Sequence, residues 1–401
     1  MKKWMILCLT LFFFGCAKKE IVIPYEEVIP YEEVIRWIKD IDEDILLTKE
    51  EIQKQNELIK ERSDSFYDIN AFFEEEEIKK LITFYQIPSL PRYDNQIITT
   101  SDVEKILENR NLENIGMDNL KKALVIKRTN LKSFPTFLHF YPNLQIKNFD
   151  ALQESELPIN TPLQIVHTSK DNLWVFAISP FYAGWVLQKD IAYVEDDEYK
   201  YFTSNKSFAV ITTSFLEEYE LDMGVTLPYE NYKNGTYFLT LPIKDENGYV
   251  TRKTIEVKKE NAYFGYLPYT PKNIYLQAFR YFNTSYGWGG ENGVDCSSML
   301  KNIYKTFGFD FPRNTKEQKI SIGTILSLEG KSIEEKQEFI RNYPLSLLYM
   351  PGHGMLYLGN KDGIDYIYHA SGKGLKVVET NIENTYGENF LSSINFINVI
   401  K

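Results

Sequence analysis

The sequence predicts a multidomain chain: a helical N-terminal domain, two small β-barrels in tandem, and a C-terminal α+β domain. Three observations predict it. Acidic helical stretches fill the first part of the chain up to about Met117. From Lys121 short alternating and β-branched runs follow one another, separated by Asn, Asp, Ser, Pro and Gly. From about Pro271 helical patterns come first and apolar strands afterwards, which is the order of an α+β domain. The chain has 401 residues, enough for two to four domains at roughly 100–200 residues each. Hydrophobic residues are 43% of it and charged residues 25%, so a sizeable core is possible and bulk disorder is excluded.

The first fifteen residues read as an address. Lys2 and Lys3 precede an apolar run from Trp4 to Phe14, and Gly15-Cys16 follows. The run is too short for a helix of roughly 20 residues to cross a bilayer. A small residue before a cysteine in this setting resembles a bacterial lipoprotein signal. It implies cleavage before Cys16, a lipidated Cys16, membrane attachment through that lipid, and a place in the cell envelope on the periplasmic side. A plain secretory signal is the alternative. Loss of Lys2 and Lys3 takes the formal charge from -11 to -13. No basic stripe interleaved with aromatics is present, so nucleic acid is not an expected partner.

Residues 16–40 hold a duplication, IPYEEV at Ile23–Val28 and again at Ile29–Val34, expected to form a tether or a surface-clasping arm. Residues 41–119 are expected to form the helical domain, with helices near Asp42–Lys60 and Phe72–Tyr85. Ser101 and Glu104 have capping-box spacing, so a third helix is expected to run from there to about Arg110.

The runs KALVIKRT, LQIVHTS, LWVFAIS and GWVLQKD place a first barrel at 120–196. FAVITTSF, MGVTLPY, GTYFLTLPI and GYVTRKTIEV place a second at 197–268. In the second, Asn234-Gly235 and Asn247-Gly248 are hairpin turn signals. Residues 269–401 are the α+β domain, with helices at Asn273–Asn283 and Cys296–Phe307. Its strands are expected near Ser346–Tyr349, Met355–Leu358 and Tyr366–His369.

Chemistry concentrates in this last domain. Of three cysteines, Cys8 would leave with the signal and Cys16 would carry lipid, so Cys296 is a lone thiol in an exported protein. Cys296, Met299, Leu300, Ile303, Tyr304 and Phe307 share one helical face. Asp295 suits the N-cap, and Cys296 then sits in the first turn. There the helix partial charge favours a thiolate. Gly287, Gly289, Gly290 and Gly293 just upstream allow a close backbone approach, by a substrate peptide or an oxyanion. A buried cysteine at the start of a core helix is the plainer alternative, and the local pattern leaves both open. A thiolate nucleophile also needs a base. Of four histidines, His139 and His167 lie in the first barrel segment, far from Cys296 in sequence. His353 and His369 open and close two strands of the same domain as Cys296. Adjacent antiparallel strands could pair them, one as base and one holding its imidazole. A Cys-His-His metal site is the other use of such residues, but it lacks the tight local pairs zinc sites favour.

Several motifs together resemble the NlpC-type peptidoglycan endopeptidases: Tyr286-Gly-Trp-Gly-Gly290, Asp295-Cys296-Ser297, Pro312-Arg313 with Gln318, His353 with the strand to Gly359, and His369-Ala370. Their order and approximate spacing match. These enzymes are similar to a reduced papain. Upstream, NLKSFPT and the run from Phe149 to Val186 resemble the first bacterial SH3-like barrel of a subgroup in which a helical clasp and two such barrels precede the enzyme.

The resemblance implies cysteine-peptidase cleavage of the γ-D-glutamyl–diamino acid bond in peptidoglycan stem peptides, and muropeptides as partners. It implies Cys296 as nucleophile, His353 as base, His369 as the orienting residue, and Tyr286 at the oxyanion pocket. Asp295 and Ser297 are implied substrate contacts, and Tyr182 and Arg313 further candidates. No metal or organic cofactor is needed, and a monomer is expected. Ser298 replaces the glycine of most members, which is expected to narrow a subsite. Asn314 replaces the acid found in some. A non-catalytic peptidoglycan-binding lipoprotein and an N-acetylmuramoyl-L-alanine amidase are the alternatives.

Overall fold

The computed structural model describes residues 31–89, 92–115, 120–204 and 206–401. Cys16, the signal segment and the first copy of the duplication lie outside the described residues.

Four helices lead: α1 Tyr31–Ile38, α2 Lys49–Glu61, α3 Glu75–Phe84 and α4 Thr100–Asn109. Their starts follow local hydrogen bonding. Thr48 and Glu51 form a capping box, so α2 begins later than the acidic stretch suggested. At α4 the box is Thr99 with Asp102, two residues before the Ser101 and Glu104 pair expected from spacing. The Asp102 carboxylate receives both the Thr99 N–H (2.9 Å) and its hydroxyl (2.6 Å), which anchors the helix there.

These helices share no core of their own. Val34, Ile38, Ile52 and Ile59 of α1 and α2 pack into the C-terminal domain. Ile78 and Ile82 of α3 pack on Trp174 and Trp185 of the first sheet, and Ile106 of α4 packs on Phe134, Phe140 and Leu152. Trp185 is thus core. The end of the 16–40 arm is the helix α1. Its Trp37 stacks on Tyr275 at 5.5 Å, and Arg36 and the Trp37 indole N–H both reach Glu379.

The first sheet has seven antiparallel strands: β1 Lys121–Val125, β2 Thr129–Lys132, β3 Gln153–Leu157, β4 Pro162–Thr168, β5 Trp174–Ser179, β6 Tyr182–Leu187 and β7 Ile191–Tyr193. Their order is β3-β2-β6-β5-β4-β1-β7. After α5, Asp196–Thr203, comes a five-stranded sheet: β8 Phe208–Ile211, β9 Thr226–Lys233, β10 Thr236–Lys244, β11 Val250–Lys258 and β12 Ala262–Phe264. Asn234 and Gly235, both at positive φ, make the two-residue turn between β9 and β10. Asn247-Gly248 sits in a longer loop closed by Gly248 N–H to Asp245 O.

The C-terminal domain sets α6 Pro271–Phe279, α7 Cys296–Lys305, α8 Thr315–Ser321 and α9 Ile333–Ile340 around a six-stranded antiparallel sheet. Its strands are β13 Thr324–Ser327, β14 Leu347–Met350, β15 His353–Lys361, β16 Ile364–Ser371, β17 Lys376–Asn381 and β18 Phe396–Val399, in the order β13-β18-β14-β15-β16-β17. Leu356, Leu358, Tyr368 and Ala370 pack on α6 and α7. Met355, Tyr357 and Ile367 pack on the opposite side with Ile340 and Leu391. His353 and His369 continue this second face, by the two-residue period of strands.

Candidate active site

The start of α7 is tightly specified. Asp295 accepts the Ser298 N–H (2.8 Å), and the Ser298 hydroxyl accepts the Asp295 N–H (2.9 Å). Ser298 thus caps the helix, and its buried side chain is engaged there. Arg313 then locks the carboxylate. Its Nη1 and Nη2 donate to the two Asp295 oxygens at 3.1 and 2.6 Å, Nη1 also to Ser297 Oγ at 2.8 Å, and Nε to Ser155 Oγ at 2.9 Å. Arg313 is 4% exposed, and Asp295 and Ser297 are also buried. These three residues form a platform under the thiol that reaches across to β3.

The glycine loop is shaped by that same strand. Gly289 and Gly290 have φ of +64° and +90°. A Cβ on Gly289 would lie 2.5 Å from Gln153 Cγ, and one on Gly290 3.1 Å from Glu156 Cβ. What these two glycines admit is therefore strand β3 of the first sheet, side chains foremost. Phe149 and Trp288 add ring contact at 3.9 Å. Arg128 ties the junction together, holding Glu156, Asp222 of the second sheet region and the Gly290 carbonyl.

Cys296 occupies the first position of α7 and is 8% exposed. Its sulfur meets the backbone N–H of Gly354, next to His353. Leu356 pairs with Tyr368, so Met355 stands opposite His369 and His353 is its diagonal neighbour. His353 Nε2 and His369 Nδ1 are 2.8 Å apart, and both rings lie against Phe390. His369 is fully buried and His353 half-buried.

Burial governs the protonation states. It pushes the Cys296 thiol up to about 12, helped by the Asp295 carboxylate and opposed by the Gly354 N–H and Arg313. It lowers His353 to about 4 and His369 to about 3, the latter also through its histidine neighbour. Burial thus favours a neutral thiol and neutral imidazoles at rest, against the direction in which helix position acts on the thiol. Below its pKa the thiolate fraction grows tenfold per pH unit. Alkylation of Cys296 by iodoacetamide, followed by mass on its peptide, is expected to accelerate about tenfold per unit from pH 6 to 9. A rate flat across that range would instead mark a preformed thiolate–imidazolium pair.

Tyr286 is half-buried and lies close enough to Cys296 for a thiolate there to raise its phenol further, beyond the effect of burial. Tyr182, at the start of β6, donates its hydroxyl to Glu154 Oε2 at 2.8 Å and is met by the Asn314 side chain. Burial raises the Glu154 carboxyl, and Arg313 lies near enough to oppose this. Glu154 was not singled out in the sequence. Its strand, QESEL, alternates so that Glu154 and Glu156 read as a solvent face, yet both are half-buried, Glu154 under the Tyr182 hydroxyl and Glu156 against Gly290. The other two histidines are not brought to the thiol. His139 Nδ1 pairs with Asp150 (3.0 Å), and His167 Nε2 with the Arg110 carbonyl (2.9 Å).

A thiol opening a helix that packs on an antiparallel sheet carrying paired histidines is the arrangement of a cysteine hydrolase. Comparison with known families gives the same class. Residues 283–394 match the NlpC/P60 family, and residues 135–187 match the SH3 domain of SH3b1 type. The chain thus carries an NlpC/P60 domain behind an SH3b1-type domain. Among solved structures it is similar to a novel NlpC/P60 endopeptidase from Photobacterium damselae subsp. piscicida, at 24% identity and TM-score 0.69, over 91% of this chain and 89% of that one. It is also similar to an NlpC/P60 family protein from Bacillus cereus, at 17% identity and TM-score 0.51, over 69% of this chain and 98% of that one. At these identities the likeness is one of fold. None of the curated proteins compared with the chain matches it.

Proposed function

We propose that the protein is a cell-wall hydrolase, a cysteine endopeptidase that cleaves the γ-D-glutamyl–diamino acid bond of peptidoglycan stem peptides. The observation that carries this reading is the placement of Cys296 at the first turn of α7, against the N–H of Gly354, whose chain neighbour His353 is hydrogen-bonded to His369.

His353 takes the thiol proton as Cys296 Sγ attacks the amide carbonyl. Backbone N–H groups at the start of α7, with Tyr286, hold the oxyanion. His353 then returns the proton to the departing amine, and an acyl-enzyme remains. Water, deprotonated by His353, releases it. A resting neutral pair suits this order, because the proton moves only when the reacting carbonyl is in place. Glu154 and Tyr182 lie on the barrel side of the same junction and suit the ammonium end of a stem peptide. Arg313, whose donors reach Asp295, Ser297 and Ser155, positions α7. In this reading the five-stranded sheet is a second SH3-like barrel, and the N-terminal helices clasp the barrels and the enzyme together. A lipid on Cys16 holds this monomer in the cell envelope.

Purified muropeptides incubated with the protein and identified by mass test the reading. The expected products end at γ-D-glutamate, and His353→Ala is expected to slow their formation by about 1,000-fold. Intact stem peptides released from sugar would make it an amidase, and binding without products a peptidoglycan-binding lipoprotein. Full activity in the His353 variant would remove His353 from the mechanism.

A further inference from the structure

The histidine pair is the visible end of a longer chain of hydrogen bonds. His369 Nε2 lies 3.4 Å from Thr380 Oγ1, on the neighbouring strand β17. Thr380 Oγ1 lies 3.2 Å from Thr385 Oγ1, and the Thr385 hydroxyl donates to the Asn381 carbonyl at 2.8 Å. Thr385 is fully buried, in a short turn closed by reciprocal backbone hydrogen bonds with Glu388. The sequence signalled none of this, since threonines on a strand end and in a turn are ordinary.

A chain of this kind has a direction, because one end is a carbonyl oxygen that can only accept. The single Thr385 proton is therefore committed to Asn381. Thr385 Oγ1 must then accept from Thr380, whose own proton is in turn committed. Thr380 Oγ1 must accept from His369, so the His369 proton sits on Nε2. A neutral His369 then has a bare Nδ1, which accepts from His353 Nε2–H. Reversing any one link leaves two oxygens, or an oxygen and a nitrogen, in contact with no hydrogen between them.

We propose that Thr380 and Thr385 are positioning residues that set the tautomers of both histidines and leave His353 Nδ1 as the basic nitrogen of the site. The tautomer of an imidazole nitrogen is fixed by the partner of the other nitrogen. The two threonines apply that rule twice in series. Neither touches substrate or the reacting thiol. The catalytic consequence rests on the peptidase reading, whereas the tautomers do not.

The test has two independent readouts. Nitrogen-15 spectra of histidine-labelled resting protein, assigned with His→Gln variants, report each tautomer without substrate. His353 and His369 are both expected as Nε2–H with bare Nδ1. Thr380→Val keeps the shape and removes the hydroxyl. It is expected to abolish the single Nε2–H signature of His369 and to lower kcat for muropeptides about 10- to 100-fold with KM unchanged. Thr380→Ser, which restores the hydroxyl, is expected to recover both. Thr385→Val is expected to act in the same direction through the free Thr380 rotor. A His369 Nδ1–H tautomer in the resting protein, or unchanged imidazole signals in Thr380→Val, would overturn the relay. An inactive wild-type protein with the expected tautomers would overturn the peptidase reading and leave the relay standing.

Discussion

Cys296→Ala is expected to slow stem-peptide cleavage by about 10^4-fold or more while the protein stays folded. Both halves follow from the helix start. Only the sulfur carries the covalent step, so its removal leaves His353 and the oxyanion donors with no nucleophile to serve. The helix itself is capped by Asp295 and Ser298, neither of which contacts substrate through Cys296 Sγ. Loss of one small buried sulfur atom costs on the order of 1 kcal/mol. Circular dichroism and urea unfolding are expected to look nearly native, while mass analysis finds no product above the background hydrolysis. Equal product yields from both proteins would exclude Cys296 as nucleophile. Cys296→Ser is expected to be almost as slow, because a buried hydroxyl is a weaker acid than a thiol and His353 is a poor base in its resting state.

Arg313→Met is expected to have the largest effect on stability, about 3–5 kcal/mol. Burial alone would raise the Asp295 carboxyl, yet the Arg313 guanidinium holds it below its ordinary value. Removing Arg313 leaves that carboxylate buried, with only the Ser298 and Ser297 donors. It also releases Ser155 and so loosens the contact between α7 and β3. The pair can be tested as a cycle. Asp295→Asn keeps an N-cap side chain, and combined with Arg313→Met it removes the uncompensated charge. The double variant is therefore expected to be more stable than Arg313→Met alone. Urea midpoints of the four proteins decide this. A loss below about 1 kcal/mol in Arg313→Met would mean that water or another cation replaces the guanidinium.

Much of the site was legible because its signals are local or periodic. Asp295 before an apolar helical pattern placed Cys296 at the first turn. A strand opening on His353 and a strand closing on His369 placed the two side by side, and Asn234-Gly235 marked a two-residue turn. Where the reading departed from the structure, the cause was a partner distant in sequence. The glycines before Cys296 were expected to admit a substrate or an oxyanion; Gly289 and Gly290 lie against Gln153 and Glu156 of the first sheet, and Gly287 and Gly293 against the carbonyls of Glu291 and Ser285 in their own loop. Ser298, which the sequence offered only as narrowing a subsite, completes the cap. The Asp42–Met117 helices read as one domain because amphipathic faces show that a helix packs and not what it packs against.

The sequence by itself determined the elements and the inventory: a thiol at a helix start, two histidines on neighbouring strands, and short antiparallel strands upstream. Periodicity and capping act within a few residues, so they survive without tertiary information. The tertiary structure decided the direction in which burial moves the thiol, the threonines beside His369 and the place of the first sheet against the glycine loop. Each depends on desolvation or on a hydrogen bond between residues brought together only when the chain packs. The sign of the Cys296 shift is the clearest case. A helix dipole can be read from a few residues, but the burial that overrides it is a property of the folded molecule.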